Sequence, residues 1–262
     1  MLTLSHLANL MALLFGERPE TMQLIARNLR QARLVATSGR GRGGARQAPQ
    51  HVANMIIAAC AAGQVSDAAG TVSTFAGLER SASSWPRGRK HERTLPKELL
   101  FATRTNARFG AVVAGLVELA ANGGLYTLLM NHAADFVDRD LLHAGADAIR
   151  QAPRSKKPEV TAEFAVKMAA HIQTLIDQSV VYLTIGFLRP LPGALLEFGT
   201  QSEGEPTPLL HVDFGLPAGF MASPRNAPRL NAWRRIDRSH KTTITHKTLL
   251  SIGQAIAAEE GA

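Results

Sequence analysis

The stretch Val180-Val-Tyr-Leu-Thr-Ile-Gly-Phe187 marks the point at which the pattern of this 262-residue chain changes. Its β-branched and aromatic side chains are typical of a strand. Upstream of it, apolar residues recur at the three- and four-residue spacings of helices. Downstream of it, the pattern predicts three more strands and a closing helix, at Ala194–Phe198, Leu209–Phe214, Lys241–Thr245 and His246–Ala258. The sequence therefore predicts a mainly α fold with a small β component, of the α+β class.

The upstream helices are separated by glycines, prolines and polar runs, which end and begin helices. We predict them at Leu2–Phe15, Glu20–Leu34, Pro49 to about Gly63, Pro96–Ala121, about 125–150 and about 158–178. Pro19 is placed in the first turn of the second helix, where a proline costs no hydrogen bond. Residues 79–95 are polar, basic and rich in serine, which predicts a linker. We therefore expect three parts, 1–78, 79–95 and 96–262.

Composition excludes several classes of protein. A net charge of +8 favours polyanionic partners. The single cysteine, Cys60, rules out an intramolecular disulfide and a cysteine-based zinc site, and its apolar neighbours predict a buried residue. The most membrane-like stretch, Gly110–Met130, carries Glu118 and is broken by a Gly-Gly pair, so we interpret it as a buried helix and a turn. We expect a cytoplasmic, nucleoid-associated protein.

The positive charge is clustered. Seven arginines face a single glutamate between residues 18 and 46, and these arginines are Arg18, Arg27, Arg30, Arg33, Arg40, Arg42 and Arg46. Two further basic clusters lie at residues 80–93 and 225–247, and the remainder of the chain is acidic. The first cluster has a structural rationale, because its arginines lie just before a predicted helix, on that helix and on the glycine-rich loop after it.

The N-terminal part of the chain has five predicted elements in order: a helix, a short turn marked by Gly16, a basic helix, the glycine-rich basic segment at 36–46 and a further helix. One helix fits into the major groove of DNA, and arginines bind the phosphates on either side of it. An arginine at the tip of a β-turn can enter the neighbouring minor groove. This order of elements is that of a winged helix-turn-helix.

The run Arg27-Asn-Leu-Arg30-Gln-Ala-Arg33-Leu34 resembles the end of the second motif helix in winged helix-turn-helix regulators, with Arg33 where those proteins have glycine. The segment also resembles prophage-encoded DNA-binding proteins. The resemblance covers roughly the first 65 residues, about a quarter of the chain. It implies an N-terminal winged helix-turn-helix domain. We expect the helical and α+β region that follows to serve oligomerisation or partner binding.

The predicted DNA contacts are one set of polar side chains on the second helix and around the loop. They are Arg18, Thr21, Gln23, Arg27, Arg30, Arg40, Arg42 and Arg46. Two alternatives stay open at this point, a winged helix that binds another protein and a basic surface that is only solvated.

Competing chemistry is weakly supported. Residues 39–44 match G-x-G-x-x-G, but a helix rather than a strand precedes them, which disfavours a dinucleotide site. One predicted helical region has histidines and aspartates at the spacing of metal ligands, but this pattern is more typical of a solvated acidic helix face. Its residues are His132, Asp135, Asp138, Asp140 and His143. His211 and Asp213 share one face of a strand as a structural pair. We expect no enzyme activity, no cofactor and no metal.

The function expected from these features is sequence-specific binding of double-stranded DNA by a homodimeric transcriptional regulator of prophage origin. Two alternatives are a DNA-packaging component similar to a small terminase subunit and an architectural DNA-binding protein. The oligomeric state distinguishes the first two functions, because a regulator is expected to be a dimer and a packaging component a ring. Resistance to competitor DNA separates regulation from architectural binding.

Overall fold

The computed structural model describes residues 2–37, 45–81, 95–202, 205–228, 230 and 240–260. Its helices are α1 (Leu4–Phe15), α2 (Pro19–Gln31), α3 (Pro49–Ala61), α4 (Ala68–Ala76), α5 (Phe109–Ala121), α6 (Gly124–Ala133), α7 (Arg139–Gln151), α8 (Lys157–Asp177), α9 (Ala218–Ala222) and α10 (His246–Glu260). Short 3-10 helices lie at Val65–Asp67, Lys97–Thr103, Ala134–Phe136 and Pro224–Asn226. The strands are β1 (Glu79–Arg80), β2 (Val181–Arg189), β3 (Gly193–Ser202), β4 (Glu205–Gly215) and β5 (His240–Thr245).

Helix α3 lies at the centre of the structure. Its residues are apolar on almost every side, and most of them are buried. Such a helix has to be enclosed by other elements to form in water. Helices α1, α2, α4 and α5 and the strands β2 and β5 all contact it. Residues from both ends of the chain therefore meet around one helix.

The five strands form one antiparallel sheet in the order β1-β4-β3-β2-β5. Side chains alternate between its two faces, as the pleat of a strand requires. In β2, Leu183, Ile185 and Phe187 are fully buried and point to the helices. The neighbouring positions of the outer face carry polar groups such as Thr184 and Glu197. The predicted mainly helical α+β class is confirmed, and all four strands predicted from the sequence are present.

Two of the predicted helices are wrong in extent. The helix predicted at 96–121 is a 3-10 helix and α5, with residues 104–108 between them. The helix predicted at about 125–150 is α6, a 3-10 turn and α7. Its break follows from Asp138, whose carboxylate accepts the N–H of Asp140 at 2.8 Å and so caps a new helix.

The elements before and after the predicted linker share one hydrophobic core. Helix α3 packs on α5, and Phe75 of α4 meets Phe187 of β2 with ring centroids 6.2 Å apart. Residues 82–94, most of the predicted linker, lie outside the described residues. The division of the chain at 79–95 thus stays a prediction, although helices that precede this segment pack against helices that follow it.

Arg33 follows the C-cap of α2 and has φ +59°. This left-handed conformation is the one that glycine adopts without strain just after a helix. The N–H of Leu34 donates to Leu29 O at 2.9 Å, which closes the last turn. Arg33 therefore holds a backbone conformation that favours glycine.

Glycine at position 33 is expected to stabilise the protein. Arg33→Gly removes the strain of a left-handed arginine, and we expect the free energy of unfolding to rise by about 0.5–1 kcal/mol. Urea denaturation measures it. Arg30→Gly, inside the same helix, is the control and should lower the free energy by about 1 kcal/mol. A loss of stability with both variants would contradict the strain at Arg33.

Candidate nucleic-acid interface

Helix α2 has one buried side and one polar side. Met22, Ile25, Ala26 and Leu29 face the core, and the opposite side faces solvent. Pro19 starts the helix, and Arg18 occupies the N-cap position without a capping side chain. Periodicity alone predicts this division, since apolar residues at helical spacing turn the charged ones outward.

Gln23, a predicted DNA contact, connects α2 to α1. Its Nε2 lies 3.3 Å from Ser5 O, 3.3 Å from Ser5 Oγ and 3.0 Å from Asn9 Oδ1. Ser5 and Asn9 lie one turn apart on α1, so these bonds hold the first half of α2 against the first half of α1. The structure thus gives Gln23 a role in positioning α2.

The predicted arginines are spread along the α1–α2 pair. Arg18 lies at the turn between the helices, next to the half-buried Thr21. Arg27 and Arg30 lie in the second half of α2. Arg46 lies beside the start of α1, because its backbone pairs with Thr3, the residue before that helix.

These four arginines lie at the surface, and their charges are not neutralised by an ion pair within the described ranges. Arg18, Arg27, Arg30 and Arg46 are all solvent-exposed. Among the residues that the structure describes, none of them forms an ion pair. A cation without an internal partner is available to an external anion.

The loop predicted as the wing lies largely outside the described residues, and Arg40 and Arg42 lie within that part. Its two flanks meet, since Ala36 N–H donates to Gln47 Oε1 at 3.1 Å. Gln47 N–H donates to Leu2 O at 3.1 Å, so this flank pairs with the start of the chain. Within the described flanks, the backbone pairing is therefore with residues 2–3 and not across the loop.

Two asparagines that the sequence analysis did not single out hold the end of α2 in place. The Asn54 amide, buried in α3, donates to Leu34 O at 2.7 Å. The Asn28 amide donates to Val65 O at 2.8 Å. Asn54 could have been found from the sequence, because it interrupts the apolar run of α3 and a buried amide needs a hydrogen-bond partner.

A histidine lies between two carboxylates on the outer face of the sheet. His211 Nδ1 is 2.9 Å from Glu197 Oε1, and its Nε2 is 3.1 Å from Asp213 Oδ1. Burial lowers the pKa of His211, but the hydrogen bond to Glu197 and the charge of Asp213 outweigh it, so the pKa is raised overall. The predicted pair of His211 and Asp213 is confirmed. Glu197 was missed, because only the strand register places it opposite His211.

A second histidine, His246, is fully buried at the start of α10. Leu183 N–H donates to its Nδ1 at 3.5 Å, and its Nε2 lies 3.3 Å from Ile176 O. A carbonyl only accepts, so Nε2 carries the proton and the ring is neutral. Burial is the main cause of a lowered pKa at His246.

Acid is expected to weaken the fold through His246. Its folded pKa lies below the unfolded value of about 6.5. Stability from the neutral ring is therefore present above that value and is lost as the pH falls through the folded pKa. His246→Gln keeps a donor towards Ile176 but does not titrate. Its free energy of unfolding, measured in urea, should fall less than that of the wild type between pH 7 and 5.

His211 supplies a control with the opposite sign. Its folded pKa is raised, so its contribution is present below about pH 6.5 and is lost as the pH rises through the folded pKa. His211→Gln should flatten the dependence between pH 6 and 8 and leave the acid side unchanged. Identical pH profiles for the wild type and both variants would contradict these assignments.

The predicted acidic group does not converge. His132 Nδ1 lies 2.9 Å from Leu128 O, and the ring stands edge-on to Phe198 at 4.9 Å. Asp138 caps α7, while His143 is exposed on that helix. Within the described ranges, no group of three or more His, Cys, Asp or Glu side chains has an arrangement that could hold a metal ion.

Apolar helices lie inside the structure. Cys60 is buried as predicted, and burial raises the pKa of its thiol. The stretch at 110–130 is the buried α5 and the start of α6, as predicted. In the described part of the chain, no single helix combines the length and hydropathy that a membrane span requires. Helix α5 and residues 124–136 reach that length only as a pair bent by 81°.

The other two basic clusters are only partly described. In the second, Arg80 Nη1 donates to Thr103 O, so its guanidinium braces the 3-10 helix at 97–103. Most of both clusters, at 82–94 and 231–239, lies outside the described residues. Comparison of the chain with family models, curated proteins and solved structures gives no match.

Proposed function

We propose that this chain is a sequence-specific double-stranded DNA-binding protein that regulates transcription. The observation that carries the proposal is the polar side of α2, where exposed arginines lack ion-pair partners among the described residues. Phosphates supply the anions that such a surface needs, and they set register on the duplex. The winged helix-turn-helix arrangement, with the glycine-rich segment at 36–46 as the wing, is part of this proposal.

The predicted contacts have different tasks in the proposal. The N-terminal end of α2, with Arg18 and Thr21, enters the major groove, as the first residues of a recognition helix do. Arg27, Arg30 and Arg46 bind the phosphates beside the groove. Gln23 fixes the angle of α2 through α1 and does not read bases.

Selection from a random duplex pool tests the proposal. We expect enrichment of a common sequence, and binding to it should persist against a roughly 10³-fold excess of random DNA. Recovery of the starting pool without enrichment would overturn sequence recognition. A lack of salt dependence would overturn phosphate binding altogether.

A double variant tests the surface itself. Arg27→Ala with Arg30→Ala removes two phosphate contacts, so the slope of log K against log salt should become shallower by about 2. Fluorescence anisotropy with the selected duplex measures it. Lys97→Ala with Arg104→Ala removes the same charge from other exposed positions and is the matched control. Equal slopes for the two double variants would move the interface away from α2.

The proposal includes a homodimer, because two half-sites about one turn apart increase affinity and specificity together. Sedimentation of the protein with the selected duplex measures the stoichiometry. Two copies on a two-fold symmetric sequence support regulation. A closed ring of many copies would favour DNA packaging instead.

A further inference from the structure

Helices α7 and α8 form a hairpin whose turn lies away from the core. Gly145 is the buried residue of α7, and Ile172 and Ile176 are those of α8. Lys157, the start of α8, lies eleven positions before Met168, the first residue of α8 that packs against the core. At about 1.5 Å per residue, the start of α8 lies about 16 Å beyond that contact. The turn between the helices is therefore the end of an extended arm.

Backbone hydrogen bonds fix this turn. The N–H groups of Lys156 and Lys157 both donate to Pro153 O, at 2.9 and 3.1 Å. Ala152 N–H donates to Ala148 O at 3.1 Å, which ends α7. The turn thus has a defined backbone from which its side chains extend.

The end of the arm is strongly basic. Arg150, Arg154, Lys156 and Lys157 lie there, and no Asp or Glu occurs between Asp147 and Glu159. Arg150 pairs with Asp147 at 3.3 Å, whereas the other three cations have no ion pair within the residues that the structure describes. Nearer the core the arm carries both signs, as in the pair of Lys167 and Glu163 at 2.9 Å. The excess positive charge therefore belongs to the tip.

We propose that this tip, residues 150–157, is a second phosphate-binding surface for double-stranded DNA. The inference rests on the proposed function and adds a second contact to it. Arg150, Arg154 and Lys156 are exposed and Lys157 is half-buried. Cations held at the surface by a fixed backbone can bind phosphates, and this binding does not depend on the DNA sequence. The arm then increases affinity for every duplex, and α2 selects among them.

The composition of the tip favours DNA over an acidic protein. Protein interfaces need a buried apolar or aromatic core inside their polar rim. The apolar residues at the turn are only Ala152 and Pro153. A phosphate backbone needs no apolar contact, so the tip matches its chemistry.

The test is a triple variant, Arg154→Ala with Lys156→Ala and Lys157→Ala. Its binding to a 20-base-pair duplex of random sequence is compared with that of the wild type across a salt series. The slope should become shallower by about 2–3, since each phosphate contact contributes about 0.9. Lys97→Ala with Arg104→Ala and Lys167→Ala is the charge-matched control. A charge-preserving variant, Arg154→Lys with Lys156→Arg and Lys157→Arg, should have the same slope as the wild type.

Each outcome decides between the possibilities. Wild-type protein that does not bind the duplex at low salt overturns the proposed function. Wild-type binding with the same slope in the tip variant and in the control overturns the arm alone. Binding of poly-L-glutamate that is lost in the tip variant, with DNA binding unchanged, would identify an acidic protein as the partner and reject DNA at this site. Circular dichroism confirms that the variants fold.

Discussion

Phe109→Ala is expected to lower the free energy of unfolding by about 3–5 kcal/mol. Phe109 is fully buried at the start of α5. Its ring centroid lies 5.4 Å from that of Phe187 on β2, at 79°, and 5.3 Å from that of Phe214 on β4. The substitution leaves a cavity and removes contacts between the helices and two strands. A domain has only about 5–15 kcal/mol in total, so urea denaturation should show a much earlier midpoint.

Two further variants make that result specific. Phe109→Leu keeps most of the volume and should cost under about 1.5 kcal/mol. Phe136→Ala removes a ring that is 39% exposed and should change the free energy only slightly. If Phe109→Ala cost no more than Phe136→Ala, the aromatic cluster would not join the helices to the sheet.

Gly253→Ala should produce the second large loss. A Cβ at Gly253 of α10 would lie 2.5 Å from Ala120 C and 2.6 Å from Ala120 O. These atoms belong to the backbone of α5, so they cannot rotate away and the two helices have to separate. We expect a net loss of about 2–3 kcal/mol in the free energy of unfolding, measured in urea, even though alanine favours a helix.

The matched control is the same substitution in open space. Gly70 lies inside α4, and a Cβ there meets nothing within 4 Å. Gly70→Ala should therefore raise the free energy of unfolding by about 0.5–1 kcal/mol through helix propensity alone. The opposite signs identify close helix packing at Gly253. A gain at both positions would show that α10 does not lie against α5 as described.

Elements could be predicted from sequence where local chemistry decides them. The strand at 181–189 follows from its β-branched residues, and α2 follows from helical spacing. The break before α7 was missed, because Asp138 caps a helix only where its own backbone is non-helical, and the sequence pattern does not show that conformation. Contacts between distant residues were also out of reach. Nothing near Gly253 indicates that α5 passes so close to it.

The candidate site shows the same limit. The exposure of Arg27 and Arg30 could be predicted from periodicity, since they lie opposite the buried side of α2. The position of Arg46 beside the start of α1 depends on its pairing with Thr3, which joins residues 43 positions apart. The position of Gln23 near the start of α2 is one from which a side chain could reach a base, but its amide donates a hydrogen bond to Asn9 of α1. Spacing gives the direction of a side chain and not its partner.

The packing of residues 240–260 has a consequence for synthesis on the ribosome. Strand β5 pairs with β2, and α10 lies on α5, so both cover surfaces of elements made earlier. A chain emerges from the ribosome N-terminus first, and until residues 240–260 have emerged, apolar parts of α5 and one edge of β2 have no cover. The earlier elements are most prone to aggregate during that interval, and a chaperone that binds nascent chains would act then.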